Sequence, residues 1–252
     1  MPVSSVQYGQ QPWQYANGFK ITNDGTTPDE IINIAAGSIL DSTGVYQIIV
    51  DDTISIDITD SGLNGLDTGT VAASKVYAVY LVADPVTQQV TGAIFSLSLT
   101  GPLLPFGYSA YALIGFVVTD STSDILLGSW TAGNSTRRSF YFDAPIATAV
   151  TAGNATSYTA VSLAAFVPAV QDTPVSIAYA FTPGAAGRAL NLTPGNGVGN
   201  AVTITGQVTS VVISGNAGVL SKVTSGVPEI DYKVANSGDA VALNVAGFDF
   251  FI

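Results

Sequence analysis

The chain contains no histidine and no cysteine, and its 252 residues include one methionine, two glutamates and four lysines. Without histidine there is no imidazole base, no Ser-His-Asp triad and no His-ligated metal. Without cysteine there are no disulfides, thiolate nucleophiles, zinc clusters or iron–sulfur centres. The seven Lys and Arg residues stand against 18 Asp and Glu, giving a net charge of −11. Those cations are scattered along the chain as Lys20, Lys75, Arg137, Arg138, Arg188, Lys222 and Lys233. Nucleic-acid binding needs clustered cations to displace counterions, so no nucleic-acid partner is expected.

Long apolar runs are missing too. The longest, Ala110 to Val118, is interrupted by Gly115 and falls well short of the ~18 residues of a membrane helix, so no membrane partner is expected. The start, Met1-Pro2-Val3-Ser4-Ser5-Val6-Gln7-Tyr8, has neither a basic region nor an apolar one, and no signal peptide is expected.

What the chain has in quantity is Val, Ile, Ala, Gly, Ser, Thr and Tyr, with 47% hydrophobic residues and only 10% charged. Helix formers are scarce beside β-branched and aromatic residues, so the expected class is all-β. Short apolar segments recur between turn signals every 8 to 15 residues, the spacing of sandwiches and barrels. Ile54, Ile56 and Ile58 alternate with Ser55 and Asp57. Val175, Ile177, Tyr179 and Phe181 share one face, and Phe248, Phe250 and Ile252 alternate with Asp249 facing out. The segments Lys75–Ala83, Ala93–Leu99, Tyr111–Val118 and Ile125–Trp130 are apolar at nearly every position and read as strands covered on both faces. Further strands are expected around Gln207–Ser214 and Val219–Thr224.

The organisation expected is two sandwich or jelly-roll-like domains, 21–150 and 151–252, behind an extended arm over residues 1–20. The boundary is set by the Pro145- and Gly153-containing stretch Ala144–Tyr158. In the arm, Gln7, Tyr8, Trp13, Tyr15 and Phe19 alternate loosely with other glutamines, while Pro2 and Pro12 break pairing. Such a segment needs a surface to lie on, its own domain or a neighbour, and these five residues are the candidate assembly contacts. Strand edges usually carry Lys or Pro as guards, and four lysines cannot guard two sandwiches. A chain this apolar is therefore expected to cover its edges with copies of itself as an oligomer, the alternative being a monomer whose own loops cover them.

The remaining motifs carry little chemistry. Asp51, Asp52, Asp57, Asp60 and Asp67 have oxygen ligands suited to Ca²⁺ but no EF-hand register, and a solvated rim is the simpler reading. Asp51 and Asp52 are neighbours whose side chains diverge on a strand, unlike a glycosidase pair. The Asp-Thr-Gly at 67–69 is a lone half of an aspartic-protease dyad and reads as a turn. Gly195-Asn196-Gly197-Val198-Gly199 lacks the Lys and helix of a phosphate cradle. Tyr108, Tyr111, Trp130 and Tyr158 could stack on sugars or pack in a core. No catalytic residue, metal or cofactor is expected.

One stretch resembles a known family. Asn64-Gly65-Leu66-Asp67-Thr68-Gly69, Tyr77-Ala78-Val79-Tyr80-Leu81-Val82-Ala83-Asp84, Leu97-Ser98-Leu99, Pro105-Phe106-Gly107-Tyr108 and Leu113-Ile114-Gly115-Phe116-Val117-Val118-Thr119-Asp120 follow in order. The pattern is similar to virion structural proteins of tailed bacteriophages. The preceding Ala36–Ser42 and the ending Gly247-Phe248-Asp249-Phe250 fit the same picture. The resemblance implies a non-enzymatic virion component made in the host cytoplasm, a capsid decoration or head-fibre protein. Its partners would be further copies of itself in a homotrimer and other virion proteins such as the major capsid protein or tail proteins, with a host surface glycan as a further candidate. A tail-fibre or receptor-binding subunit and, from another class, a carbohydrate-binding or adhesin module are the alternatives.

Overall fold

The computed structural model describes residues 16–86, 89–131, 137–194 and 201–251. Among these residues it is all-β, with no helix. The strands of the first half are β1 (Asn17–Gly18), β2 (Ile21–Asn23), β3 (Ile31–Ile34), β4 (Gly37–Leu40), β5 (Gln47–Val50), β6 (Ile54–Asp57), β7 (Val76–Asp84), β8 (Gln89–Ser96), β9 (Ala110–Val118) and β10 (Gly128–Trp130). The long β11 (Arg137–Gly153) follows, then β12 (Thr159–Ser162), β13 (Pro174–Thr182), β14 (Arg188–Pro194) and β15 (Val202–Gly206). The chain closes with β16 (Ile213–Leu220), β17 (Lys222–Thr224), β18 (Val227–Val234) and β19 (Ala240–Phe251).

These strands form four antiparallel sheets. The largest runs β16-β13-β19-β11-β10-β2-β3-β6; the others are β8-β7-β9, β1-β4-β5 and β12-β18-β14-β15, with β17 added to β18. The apolar run of β7 is explained by its place: Tyr77 through Ala83 are all buried, because this central strand is covered on both faces. On one face β9 approaches β2 and β10 so closely that a Cβ on Gly115 would sit 2.6 Å from Ile21 Cδ1. Phe116 stacks edge-on against Phe248 and Phe250 there, and accepts the indole N–H of Trp130 at its carbonyl, 2.9 Å away. Strand β5 lies against β7 and β8 from elsewhere.

The boundary expected at residue 150 falls inside β11, and the large sheet draws strands from both sides of it. The change of texture there corresponds to register shifts of β11 against β19 between Tyr141 and Gly153. Such shifts bend a strand and let it serve two packing environments. In the second half Val175, Ile177 and Phe181 are buried and Tyr179 on the same face is half-buried, while Leu190, Leu192, Ile230, Val234, Leu243 and Val245 are buried as well.

Three local expectations are corrected. Asp249 does not face water: it is only 8% exposed, because Arg137 from the neighbouring strand covers it in an ion pair. Residues 207–212 form no strand. They make a loop exposing Val208, Val211 and Val212, and pairing starts at Ile213. Of the segment 125–130, only Gly128–Trp130 is a strand; Ile125 makes an isolated bridge to Thr119.

Candidate interaction surface

The three-stranded sheet β8-β7-β9 ends in a cluster of turns. After β7, Asp84 Oδ1 accepts the N–H of Val86 at 2.9 Å, and Ser109 donates back to the carbonyl of Ala83 at 3.2 Å. The turn 105–108 is closed by the Tyr108 N–H on the Pro105 carbonyl at 3.1 Å. Gly107 there has φ 92°, the left-handed value a type II turn needs at its third position, and Pro105 precedes it. A third turn, 41–46, is tied to the same end by the Ser42 N–H on the Tyr111 carbonyl, 2.7 Å. Its pin is Asp41, whose Oδ1 accepts from Val45 and Tyr46 at 3.0 and 2.9 Å and whose carboxylate also holds the Thr43 hydroxyl.

The result, among the described residues, is a hydrogen-bonded end that displays apolar side chains. Phe106 is fully exposed at its turn tip, Val45 and Val86 are 85% and 87% exposed, and Leu103 extends from the neighbouring loop. The Leu103 N–H is itself held by Asp67 Oδ2 at 3.0 Å. Ordered backbone beneath exposed apolar groups is the arrangement of a contact anchor, since little conformational freedom remains to be lost on docking.

The aspartates act as turn pins across the molecule. Asp24 accepts the N–H groups of Thr26 and Thr27 and the Asn33 amide, which hold its carboxyl below the ordinary value. At Asp41 burial opposes ionisation, but Tyr46, Thr43 and Val45 outweigh it and the pKa is lowered. The same balance holds at Asp120, through Thr122 and Asp124, and at Asp239, through Gly184, Arg188 and Asn236. A short carboxylate reaches backbone N–H groups two to five residues on, as Asp24, Asp41, Asp57, Asp84 and Asp120 do here.

The acidic residues Asp51, Asp52, Asp57, Asp60 and Asp67 are not gathered into a ligand sphere: among the described residues no group of three or more such side chains comes together. Asp57 caps Thr59 and Asp67 holds Leu103, so both serve backbone. The Asn64–Gly69 motif has a structural task. Asn64, Gly65 and Asp67 exchange backbone hydrogen bonds with Ala93 and Phe95, so the loop covers the open edge of β8.

Of the five candidate arm residues, Phe19 belongs to the body. It is fully buried, and its carbonyl and that of Gly18 accept the two terminal nitrogens of Arg138 at 2.9 Å each. Arg138 is itself buried, and desolvation brings its pKa down to about 10. Gln7, Tyr8, Trp13 and Tyr15 lie outside the described residues, as does Gly195–Gly199. Among the sugar-stacking candidates, Trp130 is core. Tyr111 is half-buried, edge-on to Tyr80, and Tyr158 lies beneath the Lys233 ammonium at 4.4 Å. Tyr108 is half-buried beside the exposed Phe106. Arg138 and the exposure of Val45, Val86 and Phe106 carried no sequence signal beyond the Pro-Phe-Gly turn, because each depends on residues distant in the chain.

No protein-family model matches the chain, and no curated protein matches it. Among solved structures, a carbohydrate-binding module, TmCBM61, in complex with β-1,4-galactotriose is 14% identical over 51% of this chain and 72% of its own, with a TM-score of 0.22. An exo-β-1,3-galactanase from Phanerochaete chrysosporium with galactose is 13% identical over 91% of this chain and 56% of its own, with a TM-score of 0.22. The structure of infectious bursal disease virus Gx strain is 12% identical over 97% and 74%, with a TM-score of 0.25. Similarity at this level assigns the chain to no family and carries no argument about its function.

Proposed function

We propose that this chain is a non-enzymatic structural component of a bacteriophage virion, a capsid decoration or head-fibre protein on the particle surface. The observation that carries the reading is that the segments resembling phage virion proteins fold as one unit. Strands β7 and β9 form its buried centre, the Asn64–Gly69 loop guards its edge, and the Pro105–Tyr108 turn presents Phe106. A hydrogen-bonded body that exposes apolar groups at one end suits attachment to a fixed, repeated partner such as a major capsid protein.

The test is immunogold electron microscopy of particles purified from the culture that produces the chain. Label on heads supports the proposal, label on tails redirects it to a tail-fibre subunit, and unlabelled particles overturn it. A glycan-binding reading draws on one feature, the exposed Phe106 next to Tyr108. It predicts a glycan-array signal that Phe106→Ser abolishes.

A further inference from the structure

Antiparallel strands turn the N–H and C=O groups of alternate residues toward one neighbour and those of the intervening residues away from it. At the end of a sheet the outward set is a template for another strand, and proteins commonly guard it with charge, proline, brevity or a covering loop. Most outer strands here have such a guard. The edge of β8 is covered by residues 64–67. That of β9 is tied at one end by Ser42 and at the other by Leu126. Strand β6 is short and carries Asp57, β5 runs into Asp51 and Asp52, and β12 and β15 have four and five residues.

Among the described residues strand β16 has none of these. It ends the eight-stranded sheet, and its eight residues pair in unbroken register with β13 alone, from Ile213 opposite Phe181 to Leu220 opposite Pro174. It contains no proline, and no ionisable side chain occurs anywhere from Ala189 to Ser221. Its outward-facing side chains Ser214, Asn216, Gly218 and Leu220 are exposed while Ala217 and Val219 face the core. Two of those positions, Ser214 and Gly218, carry little or no side chain to block an approaching strand. The loop leading into it adds exposed Val208, Val211 and Val212.

We propose that β16 is a self-association edge: it pairs antiparallel with β16 of a second copy across a two-fold axis, joining the two large sheets into one. Two properties select a second copy as the occupant. An antiparallel pair of identical strands is self-complementary, so each outward N–H meets a C=O of the same strand in its partner. Two chains of net charge −11 repel over most approaches, and an edge free of ionisable groups lets them meet without placing like charges opposite one another. The valines beside the strand then lose water exposure in the same contact. This pairing joins copies two at a time, so any three-fold assembly would use another surface. It stands independently of the virion reading.

The experiment is the native mass of the purified full chain by light scattering over a hundredfold range of concentration, for the wild type, Asn216→Lys, Asn216→Asp and an equimolar mixture of the two variants. The expected result is a two-chain mass for the wild type and a one-chain mass for each variant alone, with unchanged circular dichroism. The mixture returns to two chains, because opposite charges then face each other across the seam. A wild type that stays at one chain throughout overturns the proposal, and so does an oligomer whose mass Asn216→Lys leaves unaltered.

Discussion

Strands β8 and β16 are both eight residues long and both end their sheets, yet their edges are treated in opposite ways. A loop whose own backbone continues the hydrogen-bonding covers β8, whereas among the described residues nothing pairs with the outer edge of β16. The difference teaches that a long edge in this lysine-poor chain can be guarded by backbone, while Asp51, Asp52 and Asp57 stand at the short ones. A loop that supplies N–H and C=O groups satisfies the edge directly, where a charged side chain only repels a newcomer. An edge that lacks such a loop is then the one available for contact.

The largest effect that would sharpen this comparison comes from residues beneath the two strands. Phe95 in β8 is fully buried, and Phe95→Ala is expected to cost about 3–5 kcal/mol in urea unfolding. Leu220 in β16 is exposed, and Leu220→Ala is expected to change the stability of the single chain by less than about 0.5 kcal/mol. Equal costs would mean that β16 is buried in some way its exposure denies.

The next variant attacks the guard itself. A Cβ at Gly65 would lie 2.5 Å from the Asp60 backbone, so Gly65→Val must push the covering loop away. A loss of about 1–3 kcal/mol is expected, with faster amide exchange at Ala93 and Phe95. Unchanged exchange there would show that the loop does not guard the edge.

Acid is expected to act on both halves. The carboxyls of Asp41 and Asp120 in one half and Asp239 in the other have folded pKa values below the ordinary 3.8. The unfolded chain therefore takes up protons at higher pH than the folded one. The stability these aspartates contribute is complete above about pH 5 and is lost as the pH falls through 4 toward their folded values. Urea midpoints at pH 7, 5, 4 and 3 test this, and Asp239→Asn should flatten part of the fall. With no histidine, assembly and stability should hardly change between pH 6 and 8, and a transition near pH 6.5 would contradict this.

The smallest effect on stability is expected at the display turn. Phe106→Ser removes a side chain that is fully exposed among the described residues, so the urea midpoint should shift by less than about 0.5 kcal/mol. Attachment to particles should nevertheless fall, and a variant that attaches as the wild type does would separate the turn from the contact.

Much of the architecture was legible residue by residue. The alternation of Val175, Ile177, Tyr179 and Phe181 appears as one face, buried except for the half-buried Tyr179, and Phe248 and Phe250 are buried while Ile252 lies outside the described residues. The near-continuous apolar run of β7 was legible as a strand covered on both sides, because only such a strand has no use for polar residues. Phe19 was read with the arm and lies in the core, since what holds it is Arg138, more than a hundred residues away. Asp249 looked outward by parity, and a cross-strand arginine closes over it.

By itself the sequence determined the class, the spacing of strands and turns, and the chemistries that the absence of histidine and cysteine rules out. These are local or compositional properties: they follow from side-chain period, turn residues and the presence of a functional group. Only the tertiary structure decided which edges are covered, that β11 runs unbroken past residue 150, and that Phe106 stands in water while Phe19 does not. Those outcomes depend on which distant segments become hydrogen-bonding neighbours. The period of a strand says which way its side chains point, and carries no record of what lies beside it.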